Sequence, residues 1–198
     1  MDSSNLHTYK IVLLGNGDSG KTTLVRRLLT GEYQKLYEPT LGVEVHPFRF
    51  CVVSGSTGMV SNVCFNLWDT AGQEKYADLG AGYYLCADAA IICSSATLHK
   101  KERLDDISKW VTRFQNVCDD VPIILASTKV DIFISTLTQA PPLITKHILT
   151  SARTCYRFSE PFLALAKILL DDNTLYIGES PARSPPVVKI PRWTLAQV

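Results

Sequence analysis

The residues best placed to do chemistry are Gly15, Asn16, Gly17, Asp18, Ser19, Gly20, Lys21 and Thr22, which fit GxxxxGK[ST]. The apolar run Tyr9 to Leu14 precedes them and the helix-forming run Thr22 to Leu29 follows, so they sit at a strand-to-helix turn. Glycines there let successive N–H groups point inward, and the helix that begins adds the positive end of its dipole. The concavity suits a polyphosphate. Lys21 can reach terminal phosphate oxygens, Thr23 adds a further nucleotide contact, and the Thr22 hydroxyl can take one magnesium position.

A phosphate cradle does not select a base; Thr128-Lys129-Val130-Asp131, directly after the apolar run Val121 to Ser127, does. A carboxylate accepts together from guanine's ring N–H and exocyclic amine, and adenine offers no such donor pair. Asp131 therefore discriminates, while the stem of Lys129 can lie along base and ribose. Between these two groups stands Asp69-Thr70-Ala71-Gly72-Gln73, again straight after a strand-like run.

Elements must hold these loops at one place. Tyr9 to Leu14 is apolar without alternation, as in a parallel strand covered on both faces. Lys21 to Thr30 reads as a helix closed by Gly31. The polar stretch from Glu32 to Thr40 reads as an exposed loop, and Val43 to Val53 with Met59 to Trp68 as two strands joined by a longish hairpin loop. Ala87 to Ser94 and Val121 to Ser127 are further strands, and Lys101 to Cys118 is an amphipathic helix. The alternation predicts a doubly wound α/β sheet with ligands beyond the carboxyl ends of its strands. No clear period appears from Phe133 to Leu149, so the helix that alternation places there is expected to be short or absent. Ser159 to Leu170 regains a helical pattern, with Ser159 as N-cap and Pro161 in the first turn. One domain is expected over 9–170, after an N-terminal extension (1–8) and before an extended tail (171–198) that contains Pro181, Pro185, Pro186 and Pro191.

The totals narrow the classes. Twenty Lys plus Arg stand against 19 Asp plus Glu, which argues against a general surface for nucleic acid or anionic membrane. No apolar run is long enough to span a bilayer, and neither end carries a lipidation signal, so no membrane anchor is expected. Six scattered cysteines without metal-ligand spacing read as buried and reduced.

With these motifs in view, the chain resembles a Ras-superfamily small GTPase of the Ran, or nuclear transport, family. GNGDSGKTT, GEYQKLYEPTLGVEVHPF, LWDTAGQEKYADLGAGYY and the weaker YRFSEPFLALAKILL carry the resemblance, and Thr40 to Pro47 is the segment most specific to Ran. It implies a P-loop G domain with a mostly parallel six-stranded sheet and helices on both faces. It also implies GTP or GDP with Mg2+ as ligands and slow hydrolysis without an activating protein. Thr40 matches the first-switch threonine that binds magnesium and senses the γ-phosphate, Asp69 the magnesium-side aspartate, and the Gly72 amide the other γ-phosphate sensor. Gln73 matches the glutamine that orients the attacking water; it, Lys21 and Thr40 form the expected catalytic set. Tyr33 matches an aromatic that covers the base, with Tyr37 beside it in the nucleotide-contact set. Ser151-Ala152-Arg153 resembles the loop whose alanine amide meets the guanine oxygen, with arginine in place of lysine. The implied partners are importin- and exportin-like receptors, an exchange factor and an activating protein, met by a monomer in nucleus and cytoplasm.

Two departures stand out. Asp18 occupies a position that usually holds glycine or alanine and is expected to face the phosphates, speeding nucleotide release. The acidic terminus of Ran and its basic partner run are both missing, with Lys146-His147 the remnant. The alternative reading is thus a Ran-derived nucleotide-binding module with altered or little hydrolysis and different partners.

Overall fold

The computed structural model describes residues 6–34, 38–40, 42–72, 82–132, 137 and 141–178. In chain order the elements are β1 (Leu6–Leu14), α1 (Lys21–Thr30), β2 (Val43–Val53), β3 (Val60–Thr70), β4 (Ala89–Ser95), α2 (Lys100–Gln115), β5 (Ile123–Thr128), β6 (Lys146–Leu149), α3 (Glu160–Leu169) and β7 (Tyr176–Ile177). The strands form one sheet in the order β6-β5-β4-β1-β3-β2-β7. β2 is antiparallel to both its neighbours, and every other pairing is parallel.

The three inner strands explain themselves. Alternate side chains of a strand serve opposite faces. The buried stretches are apolar over residues 11–14 of β1, 89–93 of β4 and 123–126 of β5, before β4 and β5 end in buried Ser and Thr. Ile11, Leu13, Ile91 and Ile124 join Leu24, Val25 and Leu28 of α1 and Phe162 and Leu165 of α3 in one core. Val12, Leu14, Ile92 and Leu125 join Ile107, Trp110 and Phe114 of α2 in the other. Each large side chain buried in this way contributes about 1.5–3 kcal/mol. Helices therefore cover both faces, as the alternation predicts.

Four features differ from the sequence reading. The sheet has seven strands, not six, because Tyr176–Ile177 adds to the edge of β2 through Val52↔Ile177 and Val53↔Tyr176. β1 starts at Leu6 because residues Leu6 to Tyr9 pair with Asn62 to Phe65 of the long β3. β6 lies inside the stretch without a clear period; it is a four-residue edge strand with Ile148 alone fully buried, too little for a periodic signal. Ser159 stands at the N-cap position of α3 as expected, but in αR geometry and without a side-chain capping bond, while Pro161 sits in the first turn. Gly31 closes α1 as expected, at φ 73° with its N–H donating to Arg27 O.

The consequence for function is positional. Gly15 to Gly20 follow β1, Asp69 to Gly72 end β3, Thr128 to Asp131 end β5, and Thr150 to Arg153 follow β6. All leave the same edge of the sheet, where open α/β folds bind their ligands.

Candidate functional site

The loop after β1 is shaped by close approach. A Cβ on Gly15 would lie 2.2 Å from Cys93 O, so only glycine fits there. Asp18 takes a left-handed φ of 59° and Gly20 one of 89°. Gly20 caps α1 without a side-chain bond, and no acidic residue stands in the helix's first turn. The first N–H groups of α1 are thereby left to an anion. Behind the loop, Trp110 Nε1 donates to Asn16 Oδ1 at 2.7 Å. Sequence reading missed that brace, which joins residues 94 positions apart.

Lys21 is buried, and its ammonium donates to Gly15 O at 2.7 Å and Asn16 O at 3.0 Å. Burial pushes its pKa below the usual lysine value, opposed by the nearby Asp69 carboxylate. Thr22 Oγ1, in the first turn of α1, donates to Asp69 Oδ2 at 2.6 Å and lies 2.8 Å from Thr40 Oγ1. Asp69 is 0% exposed, and its Oδ1 has no hydrogen-bond partner among the described residues. Burial raises this carboxyl above the usual range, against the Thr22 bond, Lys21 and His46.

That donor set fits magnesium. A buried carboxylate oxygen without a partner and two hydroxyl oxygens are hard ligands of the kind a small divalent cation takes, with phosphate oxygens completing its shell. Among the described residues no cluster of three or more His, Cys, Asp or Glu could hold a metal by protein groups alone. The metal position thus depends on the nucleotide.

The switch segments meet here too. Gly72 O accepts from Gly17 N–H at 2.8 Å, and a Cβ on Gly72 would fall 2.4 Å from that nitrogen. Ala71 N–H donates to Gly42 O at 2.8 Å, tying the end of β3 to the segment that holds Thr40. Arg26, absent from the expected set, lines a cavity together with Gly17, Lys21, Thr22, Thr40 and Gly72 and bonds Gln34 Oε1 at 2.5 Å. Thr23 is half-buried beside Thr22, and Tyr33 is exposed at the rim. Tyr37 and Gln73 lie outside the described residues.

On the base side, Thr128 Oγ1 donates to Ser19 O at 2.6 Å. Asp131 accepts from Ser151 Oγ at 2.6 Å and pairs loosely with Arg153 Nη1 at 3.8 Å. Its side chain is 11% exposed although the residue as a whole is open. Ser151 is fully buried and Ala152 half-buried. The expected base readers thus converge. Asp18 does not simply face the phosphates: its carboxylate pairs with Lys129 Nζ at 2.7 Å, so its charge is partly answered.

His46 pairs with Glu44 at the surface, 3.2 Å away, consistent with a role outside the site. Four cysteines are buried as expected, and burial pushes the Cys93 thiol up to about 12, so it stays neutral; Cys86 is exposed and Cys155 half-buried.

One family comparison bears on this geometry. The family described as "Roc: Ras of Complex, Roc, domain of DAPkinase" matches residues 10–131, more than half the chain and every loop above except Thr150 to Arg153. A phosphate loop, a hydroxyl–carboxylate metal position and a guanine-reading carboxylate on one sheet edge are what such a domain requires. The chain belongs to the Roc family of Ras-like GTPase domains, GTP-binding switches that take GTP or GDP with Mg2+.

Proposed function

We propose that this GTPase domain is a Ran-type switch: slow in hydrolysis alone, active in nucleus and cytoplasm, and read by importin- and exportin-like transport receptors. The observation that carries the switch is the meeting of Thr22, Thr40 and Asp69 within 2.8 Å, because it joins α1, the first switch loop and the end of β3. Magnesium, when bound, neutralises charge on the β- and γ-phosphates. The chain does the rest by position. Lys21 exchanges its bonds to Gly15 O and Asn16 O for phosphate oxygens, and the N–H groups of Gly20 to Thr23 line the polyphosphate. Gln73 orients a water whose oxygen attacks the γ-phosphorus as the bond to the bridging oxygen breaks, giving GDP and inorganic phosphate. Thr40 and the Gly72 amide lose their γ-phosphate contacts, and both switch segments relax.

Asp131 reads the guanine edge, supported by Thr128, Lys129, Ser151, Ala152 and Arg153; Tyr33 and Tyr37 close over the nucleotide, with Asn16, Asp18, Ser19 and Gly20 at the phosphates. Arg26 is engaged with Gln34 and Glu38; the family resemblance adds an activating protein for fast turnover and an exchange factor for fast reloading. The transport reading is supported by the Ran-like wording of Thr40 to Pro47. GTP-loaded protein should retain importin-like receptors from a nuclear extract and GDP-loaded protein should not; equal recovery in both states would refute it. A second reading, different partners with altered hydrolysis, is favoured by the Asp18–Lys129 pair. It requires GTP-loaded protein that retains none of those receptors.

A further inference from the structure

A fully buried guanidinium lies outside all these contacts. Arg103 projects from α2 and is 0% exposed. Its Nε donates to Ser94 Oγ at 3.2 Å and its Nη2 donates to Ser127 Oγ. Those two serines are register partners at the carboxyl ends of β4 and β5. Ser127 Oγ in turn lies 2.5 Å from His147 Nε2 on β6. A guanidinium can only donate, so the serine oxygen accepts from Arg103, and the tautomer of His147 sets which partner donates in the Ser127–His147 bond. Burial first, and then the charge of Arg103, keep the His147 pKa below its ordinary value, which favours the neutral ring.

Ser127 is also where the base-reading machinery is anchored. Its carbonyl accepts from Thr150 N–H at 2.7 Å and from Thr150 Oγ1 at 3.2 Å. Thr128 to Asp131 leave from one side of this joint, and Ser151, which donates to Asp131 Oδ1, from the other. Both loops therefore depend on one residue whose hydroxyl is fixed from beneath.

A charge at this depth is a costly way to fill space. An apolar side chain of similar volume is often neutral or better for stability, and fixing one geometry is the best-attested reason to keep a buried polar group. We propose that Arg103 is a positioning residue for guanine specificity: acting through Ser127, it sets the angle at which Asp131 meets the base. The inference rests on the reading of Asp131 as the guanine acceptor.

The test compares dissociation constants for GDP and IDP, which differ in guanine's exocyclic amine, in wild type, R103M and S127A, with melting temperatures measured alongside. The GDP-over-IDP preference is expected to fall about tenfold in R103M, the worth of one good charge-assisted bond, and severalfold in S127A. The acceleration of GDP release on chelating magnesium should stay as in wild type, because the contacts among Thr22, Thr40 and Asp69 are untouched. A lowered melting temperature with an unchanged GDP-over-IDP preference would overturn the proposal, and S127A alone decides it if R103M does not fold. Wild type without any such preference would instead refute the reading of Asp131 itself.

Discussion

At the phosphate end, Lys21, Thr22, Thr40 and one oxygen of Asp69 are bonded to one another or to the loop's own carbonyls, and the other Asp69 oxygen is left over among the described residues. At the base end, Thr128, Thr150 and Ser127 are bonded to framework atoms that a bound base leaves in place. The first arrangement must exchange partners when nucleotide arrives, and can therefore report which nucleotide it is. The second keeps its bonds and supplies specificity without moving. A switch needs both kinds of site in one pocket, and the sheet separates them by strand: β1 and β3 carry the exchanging groups, β5 and β6 the fixed ones.

Four perturbations test that division, beginning with the fixed end. Asp131→Asn removes the acceptor pair for guanine and offers a donor to the 2-carbonyl of xanthine, so competition binding should show GDP affinity reduced by about 10³ or more and XDP preferred. Equal loss for both bases would mean that Asp131 only holds Ser151. Lys21→Met comes next. It removes charge-assisted bonds worth about 1.5–3 kcal/mol each to the phosphates, so GDP affinity measured by calorimetry should fall roughly a hundredfold. The nucleotide-free protein should melt no lower, since a buried ammonium whose pKa burial depresses has been removed.

The third perturbation is pH. The His147 pKa is lowered by burial and by Arg103, so the folded state prefers the neutral ring. The unfolded chain takes up a proton as pH falls through about 6.5 while the folded one resists. This contribution to stability is thus complete above that pH and is lost below it. His147 is half-buried and partly screened, so the melting temperature should fall by only about 1–3 °C more between pH 7.5 and 5.5 in wild type than in His147→Asn. An equal slope in both would place the titration elsewhere. The smallest effect belongs to Asp18, which is 69% exposed and already paired with Lys129. An exposed pair of this kind is worth at most about 1 kcal/mol, so Asp18→Gly should slow GDP release by no more than about fivefold. Unchanged release would remove any role for its charge.

Much of this was legible in the sequence, for physical reasons that also explain the gaps. Glycines forced by close approach, a lysine and a hydroxyl at fixed spacing, and three strands with no polar face each leave a local trace. β6 and β7 leave none, since a four-residue edge strand and a two-residue one bury too few side chains to set a period. Ser159 holds the cap position that its type suggests, but its backbone is already αR and it makes no side-chain capping bond. Arg103 was hidden by its neighbours: in Lys100-Lys101-Glu102-Arg103-Leu104-Asp105-Asp106 it reads as one more solvated charge on an amphipathic helix. Only the fold brings it to Ser94 and Ser127, nine and 24 residues away. The Lys129–Asp18 pair is equally long-range, which is why a carboxylate expected to face phosphates turns out to be shared with the base-reading loop.

The most direct test of the account is single-turnover hydrolysis of preloaded GTP with magnesium present, in wild type and in Gln73→Leu. Slow hydrolysis that requires magnesium and is lost in Gln73→Leu is the expected result. GTP that stays intact on the wild-type protein, or is hydrolysed equally without Gln73, would contradict the switch.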